Sequence, residues 1–233
     1  MREYLQSGAM RRRSFRYLVA GVALLAAGCG GSSSGPATTA EGPPSPAASL
    51  RALAAAAHAG DVGRVRALLT PSTPRAAAAE VVEGLGSFPP RTKIVLAEQI
   101  DETWAVAALA GPRRAEGTRE YGTFAVPLRL VDGRWKAQLE PGTIQLRPLG
   151  PKEGSVQGRA PTQVAAEFSA LVAIDDAGLW LDGAAVSAKS AGTAVRYTAY
   201  GATPALSPGF HTVVAFAETG GTAAANAWWF RVR

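Results

Sequence analysis

The sequence predicts an α+β module followed by an all-β sandwich. Three observations predict it. Apolar residues recur at helical spacing between Leu50 and Leu85. Runs rich in Ile, Val, Leu and Trp then fill residues 92–146 and include the hairpin signal Asp132-Gly133. From about Val156, short strand-like runs alternate with Gly, Pro, Ser and Asp, the punctuation of a sandwich.

Ahead of both modules, the basic stretch Arg11-Arg12-Arg13-Ser14-Phe15-Arg16 precedes an apolar run from Tyr17 to Ala27, then Gly28-Cys29. The run, about 11 residues, is too short to cross a bilayer, which takes about 20. A charged segment, a short apolar stretch and small residues at a cut describe a signal peptide. Ala26-Ala27-Gly28-Cys29 resembles the cut site of a bacterial lipoprotein. The family pattern prefers Leu three residues before the Cys; here Ala26 stands there, with Leu24 and Leu25 further back. The resemblance implies removal of 1–28, a diacylglyceryl and palmitoyl anchor on Cys29, and an extracytoplasmic place in the cell envelope. The alternative is a free thiol in a signal peptide cut elsewhere. Met10 is a second candidate start. Cys29 is the only cysteine, so no disulfide forms within the chain.

Residues 30–49 are Gly, Ser, Pro, Thr and Ala with one acid, Glu41, and with Cys29 they read as an acylated, flexible tether, 29–49, spanning roughly 25 Å. The full chain carries net +6, but beyond Cys29 there remain 19 Lys and Arg against 17 Asp and Glu. No basic stripe of a nucleic-acid binder is present. Arg113-Arg114, followed by Glu116, reads as a solvated turn.

In the first module, 50–147, Leu50, Leu53, Ala54 and Ala57 mark one helix face. Asp61 caps a second helix carrying Val62, Val65, Leu68 and Leu69. Thr73-Pro74 opens a third, through about Leu85. Strands are expected at 92–99, 103–110, 121–131 and 135–146, with Gly111-Pro112 as a turn. The helices, the link Ala59-Gly60-Asp61 and the run from Phe124 to Lys136 around Asp132-Gly133 together resemble a nuclear transport factor 2-like domain. That resemblance implies a cone, with helices packed in a curved antiparallel sheet around a pocket. Some relatives are isomerases or dehydratases; many are non-catalytic. Tyr121, Asp101 and His58 are the residue types such chemistry would use. Asp101-Glu102 instead reads as a turn, His58 as a helix-end partner and Tyr121 as a strand aromatic. Trp104 and Trp135 read as core.

Residues 148–157, with Pro148, Gly150, Pro151 and Gly154, read as a linker. In 158–233, strands are expected at 164–168, 179–181, 185–188, 195–200, 212–217 and 227–232. Leu179-Trp180-Leu181-Asp182-Gly183, Leu206-Ser207-Pro208-Gly209-Phe210-His211 and Trp228-Trp229-Phe230-Arg231-Val232 resemble pieces of a bacterial immunoglobulin-like domain without its Cys pair. Trp180, Val214, Phe216 and Trp228 or Trp229 are the expected core. His211 reads as a polar strand start, and Asp175-Asp176 as a turn short of the oxygen ligands a calcium loop needs.

Gly31-Ser32-Ser33-Ser34-Gly35 matches the nucleophile-elbow string but lies in the tether, where no strained turn forms. No phosphate loop, dinucleotide fingerprint or zinc spacing occurs. The expectation is a lipid-anchored, non-catalytic binding or interaction module with no catalytic residue, cofactor or metal. Its partners would be the membrane, an envelope protein or a small apolar ligand. The alternatives are an enzyme using the cone pocket, or a structural protein of envelope assembly.

Overall fold

The computed structural model describes residues 45–140 and 143–233. Cys29, the signal segment and the tether up to 44 lie outside the described residues.

Helix α1, Pro46–His58, begins inside the expected tether. Ser45 caps it, accepting from the Ala48 amide at 3.2 Å, and Pro46 occupies its first turn. Ser-Pro is the same start signal as Thr-Pro, and the helix follows from it. Helix α2, Val62–Leu68, is capped by Asp61 as expected, through the Arg64 amide at 2.8 Å. Helix α3, Ala77–Gly86, starts later than the sequence predicts and has no side-chain cap. Thr73 is occupied elsewhere: its buried hydroxyl meets that of Thr70 at 2.9 Å and accepts from the Leu139 amide at 3.1 Å.

The first sheet is an antiparallel meander of β1 (Lys93–Gln99), β2 (Trp104–Ala115), β3 (Thr118–Val131) and β4 (Arg134–Ala137), in that order. Asp132-Gly133 forms the expected tight turn, with φ of 50° and 70°. Gly111-Pro112 does not turn the chain. Strand β2 runs through it, pairing Gly111 with Gly122 and Pro112 with Tyr121, and the hairpin closes at Glu116-Gly117. Register with β1 ends at Lys93↔Ala110, so Pro112 lies in a two-stranded overhang where one side of β2 has no partner strand. The missing amide costs nothing there. Arg113 and Arg114 are therefore strand residues.

Strand β4 stops at Ala137 rather than running to Leu146. Ile144–Gly150 forms β5, which pairs antiparallel with β7 (Gln163–Ala170) as the edge of a sheet ordered β10-β11-β7-β5. The other two strands are β10 (Lys189–Thr193) and β11 (Arg196–Ala202). Pro148 and Gly150, expected in a linker, sit on this edge, where proline is tolerated. The third sheet, ordered β6-β13-β12-β8-β9, contains β6 (Val156–Gln157), β8 (Asp176–Leu181), β9 (Ala184–Ala185), β12 (Gly209–Thr219) and β13 (Thr222–Val232). The expected linker thus holds the end of β5 and all of β6.

Four layers result: helices, first sheet, five-stranded sheet, outer four-stranded sheet. Alternation along single strands makes the layers. On β2, Ala105, Ala107 and Leu109 face the helices and join Leu50, Leu53, Val65, Val81 and Leu85. The intervening Trp104, Val106 and Ala108 face the five-stranded sheet and meet Trp180, Val214 and Phe216. On β12, Val213, Ala215 and Ala217 turn the other way, into the sandwich core with Val164, Phe168, Trp228 and Phe230. Both strands are buried on both faces and read as continuous apolar runs. This corrects the expected sandwich core: Trp180, Val214 and Phe216 are buried, but between the first and the five-stranded sheets. Trp228 holds the sandwich centre and donates to the Pro151 carbonyl at 3.0 Å, while Trp229 is only half-buried on the opposite face. Trp104 and Trp135 are core residues, as expected.

Polar bonds cross between the first and the five-stranded sheets. Trp180 donates from Nε1 to Glu98 at 2.8 Å, and the Thr123 hydroxyl donates to the Ala227 carbonyl at 2.7 Å. Gly183, at φ 86°, brings its turn against the first sheet; a Cβ there would stand 2.4 Å from the Val95 carbonyl oxygen.

Candidate functional site

The space between the helices and the first sheet is filled by apolar side chains, with Trp135, Phe88 and Leu128 completing the cluster. Among the described residues, the groups with displaced pKa values lie elsewhere. The three residues suited to pocket chemistry are not brought together there. Asp101 is a turn cap, accepting from the Thr103 and Trp104 amides at 2.6 and 2.7 Å. His58 ends α1, with Nδ1 3.4 Å from the Gly86 carbonyl oxygen. Tyr121 faces the sandwich and stacks on Phe210 at 4.2 Å, with Trp229 edge-on to both. Burial raises the Tyr121 pKa above the ordinary phenol value, partly opposed by its bond to Thr212. This aromatic group seals one end of the layer between the sheets, and the Arg231 guanidinium lies 5.4 Å from the Phe210 ring centre.

Two surface openings flank the filled interior. One, of about 500 Å³, lies where α3 meets Phe124 and Leu139, with Glu80 and Glu140 at its rim. The other, of about 410 Å³, lies between the end of α3 and the β2–β3 overhang. Its apolar lining comes from Phe88 and three prolines, Pro89, Pro90 and Pro112. Its remaining side chains with polar groups are Ser87, His58, Arg113, Arg114 and Arg119, with no acid among them. Arg113 is held in place. It donates from Nε to Glu120 at 2.8 Å, and its guanidinium carbon lies 5.9 Å from the Phe88 ring centre. Glycine at 122 makes room for it, since a Cβ there would meet the Arg113 chain at 2.5 Å. Arg114 and Arg119 sit directly opposite each other in the hairpin register. The Arg114 amide donates to the Ser87 carbonyl at 3.0 Å, tying the hairpin to the end of α3.

An acidic corner forms at the other end of the sheets. Glu218 and Asp176 are cross-strand partners. Asp175 accepts from the Gly220 amide at 2.8 Å, capping the β12–β13 turn, and Asp176 from the Ala177 amide at 2.7 Å; the expected Asp175-Asp176 turn is instead the entry to β8, which begins at Asp176. Among the described residues, no three His, Cys, Asp or Glu side chains form a metal-holding group. Desolvation, then the charges of Asp101, Asp175 and Asp176, push the Glu218 pKa up to about 7; burial, chiefly, also raises that of Asp176. The folded chain therefore holds a proton on Glu218 that the unfolded chain releases. The resulting stabilisation is full below the ordinary Glu range and is lost as pH rises through about 7. Glu218→Gln should raise stability at pH 8 by about 1 kcal/mol, a figure reduced for the group's partial exposure to water. It should also flatten the stability profile between about pH 4.5 and 7, checked by urea melts across that range.

His211 lies near the start of β12, as expected, and is buried there. Its Nδ1 lies 2.7 Å from Asp182 Oδ2 and its Nε2 2.8 Å from the Ser207 carbonyl oxygen. The sequence shows no sign of this pairing, because its partners come from two separate turns.

No helix among the described residues is long and apolar enough to cross a membrane. No family model matches the chain. No curated protein matches it. Among solved structures, an endo-β-1,4-mannanase from Thermotoga petrophila is similar over 40% of this chain and 20% of its own, at 11% identity and TM-score 0.32. The chain thus spans about a fifth of that enzyme's length. Tandem immunoglobulin domains of titin are similar over 61% of this chain and 95% of theirs, at 9% identity and TM-score 0.28. A second titin fragment is similar over 61% and 97%, at 7% identity and TM-score 0.27. Overlaps of this size define neither a family nor an activity.

Proposed function

We propose that the chain is a lipid-anchored, extracytoplasmic protein whose folded part is a non-catalytic binding module of the cell envelope. The filled helix–sheet interior carries the reading. An enzyme using that interior would place ionisable groups inside it with shifted acidity. Here the groups with displaced pKa values are Tyr121, Glu167, Asp176, Tyr197 and Glu218, all outside the helix–sheet cluster. The openings that remain are on the surface, where ligands and partners arrive. Three helices over a four-stranded meander support the nuclear-transport-factor-2-like assignment of the first part. Two packed antiparallel sheets support the immunoglobulin-like assignment of the second.

The anchor rests on Cys29 and the segment before it. More than one acyl chain gives stable attachment, at about 0.8 kcal/mol per buried methylene. Radiolabelled palmitate should enter the full-length chain in growing cells, and the chain should fractionate with membranes. Cys29→Ser should abolish both. A bare thiol at Cys29 in the mature protein, read by mass spectrometry, would overturn the anchor. Crosslinking of the anchored protein in cells should capture a ligand or partner; turnover of a small substrate by the purified chain would sink the non-catalytic reading.

One observation favours a role in envelope assembly as a second reading. Leu171 is 86% exposed, beside Val172 and Val195, and the Ala170 amide bonds the Val195 carbonyl, so these apolar side chains share one tip of the sandwich. Such a tip is a contact point for another protein.

A further inference from the structure

We propose that the opening between the end of α3 and the β2–β3 overhang binds the oxyanion head of a small amphiphile, a phosphate or carboxylate on an apolar body. The proposal names the ligand class for the binding-module reading and rests on it. The opening, about 410 Å³, falls in the range of small-ligand pockets, roughly 300–1,000 Å³. Its apolar wall, from Phe88 to Pro90 with Pro112, suits a hydrocarbon body. Its side chains carry basic groups and no carboxylate.

The cations differ in their freedom. Arg113 is neutralised by Glu120 and braced on Phe88. Arg114 and Arg119 enter no ion pair among the described residues. Like charges placed directly opposite across a strand pair repel. An oxyanion between them replaces that repulsion with two charge-assisted hydrogen bonds, and the guanidinium fork matches phosphate or carboxylate geometry. The overhang is not a loose tip, because the Arg114 amide is fixed to the Ser87 carbonyl. The wall and the hairpin backbone are therefore held in one arrangement before a ligand arrives, which lowers the cost of binding.

The test uses the full chain in phosphatidylcholine nanodiscs, titrated calorimetrically with hexyl phosphate, hexanoate and hexanol. Hexyl phosphate or hexanoate should bind saturably, and hexanol should not. Arg114→Ala with Arg119→Ala should weaken anion binding by about tenfold or more, since two charged contacts are lost. Arg119→Glu should abolish it. Both arginines are exposed, so the variants should melt as the parent does, and a thermal melt of each verifies this. Phosphatidylglycerol added to the disc separates two sources of the same chemistry. Competition assigns the oxyanion to a membrane head group, and lack of competition assigns it to a soluble molecule; either upholds the site. Equal binding by parent and folded variants overturns the proposal, as does absence of saturable binding by the parent. Those failures leave palmitate labelling and crosslinking of the anchored chain unaffected, so the two readings fail separately.

Discussion

Phe216→Ala should destabilise the whole described fold by about 3–5 kcal/mol, and it should do so in one transition. Phe216 is fully buried on β12, in the layer where that strand meets β2. Truncation removes an aromatic ring from a site walled by Trp104, Val106, Trp180 and Val214, which sheet backbones on both sides keep from collapsing. The decisive readout is the helical circular dichroism signal in a urea melt. All three α-helices lie on the far side of the first sheet from Phe216. If the two modules were independent beads on a linker, the helical signal would melt at the parent's midpoint while sandwich probes shifted. With the sheets packed face to face and cross-bonded by Trp180–Glu98 and Thr123–Ala227, both signals should shift together. Two separated transitions would sink the joined-layer account. Phe168→Ala, in the outer sandwich core, serves as the comparison and should move the helical signal as well.

The same layer explains what the sequence could and could not tell. Turn chemistry was readable: Asp132-Gly133 and Asp182-Gly183 both close tight turns with positive φ, because those residue types tolerate the left-handed region. Helix caps were readable at Asp61 and, by the same rule, at Ser45. The side of the fold that a strand residue faces was harder to read. Ala105 to Ala110 and Val213 to Ala217 lack apolar–polar alternation, the mark of burial on both faces. That pattern says another layer exists but not which one, so the sequence alone places Phe216 in the sandwich core. Pro148 and Gly150 carried a linker signal because composition cannot separate an edge strand from a connection. The surface opening was the least legible feature. Phe88, Arg114 and Arg119 meet there only after α3 ends beside a hairpin whose overhang depends on where β1 begins. The adjacent Arg113-Arg114 pair did point to local positive charge, but its place on a strand rather than a turn follows from pairing with β3.

His211→Ala should cost about 1–3 kcal/mol, because it removes a buried ring together with both of its hydrogen bonds. His211 lies near the start of β12, buried, with an acceptor opposite each ring nitrogen: Asp182 Oδ2 and the Ser207 carbonyl. The ring thus bridges the Asp182 carboxylate and the Ser207 carbonyl. Asp182 completes the clamp by accepting from the Thr212 amide at 2.8 Å through its other oxygen. Three stretches are thereby tied together: the turn after β8, the Ser207 loop and the first residues of β12. Asp182 also stands at φ 53°, which Asn tolerates and Ala does not. Asp182→Asn should accordingly cost less than Asp182→Ala, since it keeps the backbone conformation and an amide oxygen for Thr212. A double-mutant cycle between His211→Ala and Asp182→Asn should return a coupling of about 1–3 kcal/mol. A coupling near zero would mean that His211 acts through packing against Phe230, whose ring lies 5.4 Å from its own, rather than through the carboxylate.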